Sequence, residues 1–283
     1  MYFIKALVRA LSKKERLAAI TAVLVFVVSC VSKAAVVIDE HSTIMPVSGG
    51  SYRDGVVGQP TAINPVIARN SVDESLSALV YARLGTLAKE ITSEGRVYSV
   101  MLREGIVWED GTPLTSDDVL FTIRTIQDPD VRSPLYRNWE GVVAERQSEL
   151  RFTLAIPSPY VFFKDYIANL RVIPRHIFGT LPPSNIRFSD YNLEPVGSGP
   201  YKYEGFVKRR DGFITEYHFV RNTLFAGDAP LIDHIYVKFF EDEGGVLDAF
   251  RRKSIDGFGT FAPFGAGTVD GAEIERVATP AYY

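Results

Sequence analysis

The sequence predicts a mixed α/β fold with antiparallel strand pairing, and three patterns carry that prediction. Arg96 to Arg103 and Leu150 to Ile156 alternate apolar and polar residues, the period of half-buried strands. Leu76, Leu79, Val80, Leu84 and Leu87 recur at three- and four-residue intervals, as do Val119, Leu120, Ile123 and Ile126, and this is the period of amphipathic helices. Asp211-Gly212, set between two β-rich runs, is a hairpin signal.

Taken in order, Gly49-Gly50 opens a short strand over Tyr52 to Val57. Gly58, Pro60, Asn64 and Pro65 then mark a long irregular segment. A helix follows around Leu76 to Leu87, with Ser71 or Asp73 as its cap. After the strand at Arg96 to Arg103, the run Trp108 to Thr115 reads as a turn into a helix. Thr115 is the N-cap, and Asp117 and Asp118 lie in the first turn, where carboxylates favour the positive helix end. Pro129 marks the stop. A short helix is expected near Tyr160 to Ala168, then strands at Tyr201 to Val207, Phe213 to Arg221 and Ile235 to Phe239. A final amphipathic helix buries Val246, Leu247 and Phe250.

The N-terminus differs from the rest. Lys5, Arg9, Lys13, Lys14 and Arg16 precede an apolar run, Leu17 to Val31, which is signal-peptide length and short of the about 20 residues a full span needs. Counted through Ile38 it reaches spanning length, provided that Lys33 bends its stem to the interface. The one-sided cations keep residues before the run cytoplasmic and send everything after about residue 38 outside. Two attachments stay open: an uncleaved single span, or lipidation at Cys30, since Val27-Val28-Ser29-Cys30 resembles a bacterial lipobox.

Composition excludes some classes. A net charge of −3 and no basic block beyond Lys208-Arg209-Arg210, at a hairpin tip, argue against a nucleic-acid partner. A single cysteine allows neither an intrachain disulfide nor a thiolate metal site. The four histidines form no H-E-x-x-H or i, i+4 pair, and Gly197-Ser198-Gly199 lacks nucleophile-elbow spacing. No catalytic, metal or cofactor residue is assigned, and the chain is read as a non-enzyme without cofactor.

The run Leu102-Arg103-Glu104-Gly105-Ile106-Val107-Trp108-Glu109-Asp110-Gly111-Thr112-Pro113-Leu114-Thr115-Ser116-Asp117-Asp118-Val119 resembles the signature of solute-binding protein family 5, the peptide-, dipeptide- and nickel-binding proteins of ABC importers. Shorter matches follow the same order: Gly49-Gly50, Ile63-Asn64-Pro65, Ile173-Pro174-Arg175-His176-Ile177-Phe178, Val196-Gly197-Ser198-Gly199-Pro200-Tyr201, Arg221-Asn222 and Ile255-Asp256-Gly257. The resemblance covers roughly residues 49–283.

The resemblance implies a mixed-sheet lobe of a two-lobed periplasmic-binding-protein-like fold, with an inserted subdomain. Residues 1–38 would be the cytoplasmic N-terminus and anchor or signal segment, 39–48 a linker, 49–68 plus 190–283 the first lobe, and 69–189 the insert. The second lobe, which in the family supplies an acidic residue for the peptide amino terminus, is missing from the expected order, and a chain without it is expected to bind peptides weakly. The implied function is the extracytoplasmic component that captures peptides and delivers them to an ABC transporter permease at the membrane. Gln59 and Asn64, as exposed amides in the irregular segment, are candidates for bonding a peptide main chain. Tyr136 and Trp139, in a loop of the insert, are candidates for aromatic contact. Other readings are a membrane-anchored hydrolase and a tethered sensor or chaperone-like module.

Overall fold

A computed structural model describes residues 12–41 and 47–259, and the chain divides into two units, residues 1–47 and 48–283. Lys5, Arg9, residues 42–46 of the expected linker and residues 260–283 lie outside the described residues. In the first unit, helix α1 (Lys13–His41) runs without a break past Ser32 and Lys33. Its large apolar side chains between Leu17 and Val31 are exposed. Among the described residues it is the one helix long and apolar enough to cross a membrane.

The second unit holds two sheets. Strands β1 (Ser51–Val57), β6 (Tyr201–Lys208), β7 (Ile214–Arg221), β8 (His234–Phe240) and β9 (Gly257–Phe258) form a five-stranded sheet in the order β6-β7-β8-β1-β9. The β6-β7 and β7-β8 pairs are antiparallel, but β1 runs parallel to both β8 and β9. The local patterns predict only the antiparallel pairs, whereas the mixed sheet is what the family resemblance implies. The parallel pairs join segments far apart in sequence, which no local turn signal reveals. Strands β2 (Ala88–Glu94), β3 (Val97–Leu102), β4 (Val143–Arg146) and β5 (Arg151–Ala155) form a wholly antiparallel sheet in the order β2-β3-β5-β4.

Helix α2 (Ser71–Val80) is capped by Asn70, whose side chain accepts from Asp73 N, rather than by Ser71 or Asp73. The expected single helix breaks at Tyr81–Arg83 and resumes as α3 (Leu84–Leu87). Helix α4 (Ser116–Gln127) begins as expected. Thr115 and Asp118 form a capping box, and Val119, Leu120, Ile123 and Ile126 are all buried. The remaining helices are α5 (Tyr136–Trp139), α6 (Phe163–Asn169), α7 (Arg175–Phe178) and α8 (Glu243–Arg251). In α8 the buried positions are Val246 and Ala249, and Leu247 and Phe250 are half-buried. One core runs through both sheets. Tyr98, Val100 and Leu102 of β3 pack in it with Phe152 and Leu154 of β5, Trp108, and Tyr217 and Phe219 of β7.

Candidate functional site

The parallel strands β8 and β1 end together, at Phe240 and Val57, while β9 stops at Phe258, opposite Gly55 of β1. Ligands of α/β folds collect outside such carboxyl ends, where backbone and loop groups converge. Here the loop leaving β1 is tied down on both sides. Gly58 N donates to Phe240 O at 2.8 Å. The carboxylate of Asp73, on α2, accepts from Thr61 N at 2.7 Å, Thr61 Oγ1 at 2.6 Å and Ala62 N at 3.1 Å. Asp73 is 1% exposed, so these charge-assisted bonds are made out of water, where they are strong.

Gln59 sits in that loop, half-buried. Its Oε1 accepts from Ile214 N at 2.9 Å, which fixes the orientation of the amide. The NH2 group makes no hydrogen bond among the described residues and is left as a donor for a carbonyl. At the same end of the sheet Arg209 bridges Asp211 at 2.8 Å and Glu241 at 2.7 Å, and its guanidinium lies 4.7 Å over the Phe213 ring. Within β1, burial pushes the Asp54 carboxyl up to about 6. Arg53 clamps the approach to β9 with a fork, Nε to Asp256 Oδ2 at 3.0 Å and NH2 to Oδ1 at 2.7 Å. The donors, acceptors and fixed loop can hold a polar chain without covalent chemistry.

A second feature joins the sheets. Glu109 N donates to Gly197 O at 2.9 Å, and Gly197 N returns a bond to Glu109 Oε2 at 3.2 Å. Gly197 packs so close to the Val80 carbonyl that a side chain there would collide with backbone. Burial raises the Glu109 carboxyl to about 7, against the lowering pull of Gly197 N and Lys202. Beside this seam lies a cavity of about 350 Å³ lined by Glu109, Asp110, Lys202, Tyr203, Glu204 and Val220.

The four expected ligand residues do not converge. Gln59 lies at the strand ends, as just described. Asn64 is corrected: it is fully buried, not an exposed amide. Its Oδ1 accepts from Val66 N at 3.0 Å and its Nδ2 donates to Asn192 Oδ1 at 3.2 Å, so it builds the loop internally. Trp139 is corrected likewise. It is 2% exposed and packs edge-on against Phe163 at 5.5 Å, because its size is used to fill the core under α4. Tyr136 is half-buried, and its hydroxyl donates to Glu140 at 3.3 Å. It lines a separate hollow of about 460 Å³ with Asp128, Pro129, Arg132, Ser133, Pro134 and Arg137. Asp73, a helix-cap candidate in the sequence, is instead the anchor of the Gln59 loop. The signal was present, since a carboxylate that faces a Pro-rich loop from a first helical turn can hold that loop's N–H groups.

His176 Nε2 lies 2.7 Å from Asp110 Oδ2, and its ring meets Trp108 edge-on at 6.1 Å. Among the described residues no hydroxyl or thiol bonds to His176, so the pair lacks the nucleophile that a triad needs.

Protein XP55 of Streptomyces lividans is 30% identical over 224 residues, which cover 78% of this chain and 38% of that protein. The oligopeptide-binding protein AppA of Bacillus subtilis is 26% identical over 175 residues, covering 56% of this chain and 32% of that protein. The crystal structure of the ABC transporter substrate binding protein CtaP from Listeria monocytogenes superposes with a TM-score of 0.65 at 31% identity, covering 74% of this chain and 44% of that one. The chain therefore matches less than half the length of each of these relatives. The model of bacterial extracellular solute-binding proteins, family 5 Middle, matches residues 78–282, and the chain belongs to that family of binding proteins.

Proposed function

We propose that the chain is the extracytoplasmic solute-binding component of an ABC transporter, that it captures peptides, and that it passes them to a membrane permease. In this reading residues 49–68 and 190–283 make the first lobe, 69–189 are the inserted subdomain, and α1 holds the body outside the cytoplasmic membrane. The names of CtaP, a substrate binding protein, and AppA, an oligopeptide-binding protein, support the transport and peptide parts of the reading. The observation that carries it on this chain is Gln59, pinned by its oxygen beside the shared end of the parallel strands β1 and β8 with its donor end free. A donor of this kind recognises a main-chain carbonyl whatever side chains flank it, which suits loose peptide selectivity.

A photo-crosslinking amino acid at position 59 tests the reading even if affinity is low. With millimolar mixed peptides, irradiation is expected to give peptide adducts at position 59. A crosslinker at Glu145, on the exposed strand β4 of the other sheet, serves as control. Equal labelling at both positions would remove the strand-end site.

A further inference from the structure

The turn before α6 carries exposed apolar side chains that none of the roles above uses. Tyr160 is 46% exposed, Val161 89% and Phe162 58%, while the next residue, Phe163, is 4% exposed and packs against Tyr98 and Trp139. The turn is built rather than slack. Arg96 NH1 donates to Pro157 O at 3.0 Å, Phe163 N to Tyr160 O at 3.1 Å and Asp165 N to Phe162 O at 3.0 Å. With Phe163 locked inward, its three predecessors are held outward. Tyr160 contacts both Phe162 and Tyr166 at 5.8 Å, so the rings form one apolar knob. The same end of the four-stranded sheet places Val97, Ala155 and Val143 in one cross-strand row, with Val97 42% and Val143 55% exposed. Exposed Lys164 and Arg96 flank the knob.

We infer that this turn, Tyr160 to Phe162, is an interfacial membrane contact that dips into the headgroup boundary of a lipid bilayer. The inference rests on the reading of α1 as an anchor. Two observations choose lipid over other occupants. Tyr and Phe beside a cation are the side chains that settle at the water–lipid boundary, with Lys and Arg stems reaching back to the headgroups. The chain also brings its own bilayer: residues 42–50 connect α1 to β1, and a stretch of that length reaches at most about 30 Å. Once α1 is inserted, the body is covalently tethered to lipid, and this tether raises the local concentration of lipid enough for a weak contact to be occupied. A small apolar insertion then holds a surface toward the membrane at little cost.

The test uses the full chain carrying Cys30→Ser and Val161→Cys, labelled with a nitroxide and reconstituted into vesicles of phosphatidylethanolamine and phosphatidylglycerol. Flotation is read first. A chain that does not float with the vesicles refutes the anchor reading, and this inference falls with it. In floating protein, the label at 161 is expected to collide several-fold less with a water-soluble nickel chelate, and more with oxygen, than a label placed by Glu145→Cys. Adding Phe162→Asp is expected to return the 161 label to water. Equal collision rates at 161 and 145 in floating protein overturn the proposal while leaving the anchor standing. Dipolar broadening between labels with the chelate still accessible also overturns it, in favour of a second copy of the chain as the occupant.

Discussion

Glu109 shows how one side chain ties structure to pH. Its carboxyl is raised to about 7 in the folded chain by burial, against about 4.3 for an ordinary glutamate. The folded form therefore binds the proton more tightly than the unfolded form. The stability this group contributes is complete at acidic pH, and it is lost as pH rises towards and through about 7. Glu109→Gln keeps an oxygen for Gly197 N and removes the titration. The variant is expected to match the parent in denaturant unfolding at pH 4 and to exceed it by about 2–3 kcal/mol at pH 8. A parent that gains stability relative to the variant over that range would show the sign to be wrong. Asp73 is a buried carboxylate whose role is to hold a loop by hydrogen bonds. Asp73→Ala is expected to cost about 2–4 kcal/mol and to weaken crosslinking at position 59, since the loop carrying Gln59 loses its anchor.

Among the elements, the turn into α4 makes the clearest prediction. Gly111 has φ +86 with nothing within 4 Å of a Cβ placed there, so the cost expected of Gly111→Val is backbone strain. A loss of about 1–3 kcal/mol is expected. Thr115→Ala removes half of the capping box and should cost about 0.5–2 kcal/mol in thermal unfolding. Unchanged melting of both variants would mean that this turn is not a folding element. The turn was legible because each of its residues answers to a local rule of capping or φ. Strands β2 and β4 were not legible. Their residues are mostly exposed and polar, so the two-residue alternation that betrays a half-buried strand is weak. The site divided in the same way. Gln59 is a candidate from its place in an irregular segment, and it lies in the loop that leaves β1. Asn64 and Trp139 were misplaced because an amide and an indole serve a core as readily as a ligand, and burial is decided by segments distant in sequence, Asn192 for one and Phe163 for the other.

Over the whole molecule, the chain joins a helix of membrane-crossing length to a two-sheet body, and this makes topology testable. Protease added to intact spheroplasts is expected to degrade the body, and full protection would place it inside the cell. Cys30→Ser separates the two attachments: loss of acyl labelling with an unprocessed precursor indicates lipidation, and no change indicates an uncleaved span. The position of β1 bears on the same journey. This strand is near the start of the body, yet it lies between β8 and β9, which are made last among the described strands. Until those partners emerge from the ribosome, both edges of β1 stand open and the five-stranded sheet cannot close. The order of synthesis thus delays completion of the sheet, so the first strand of the body stays unpaired until nearly all of the described chain has been made.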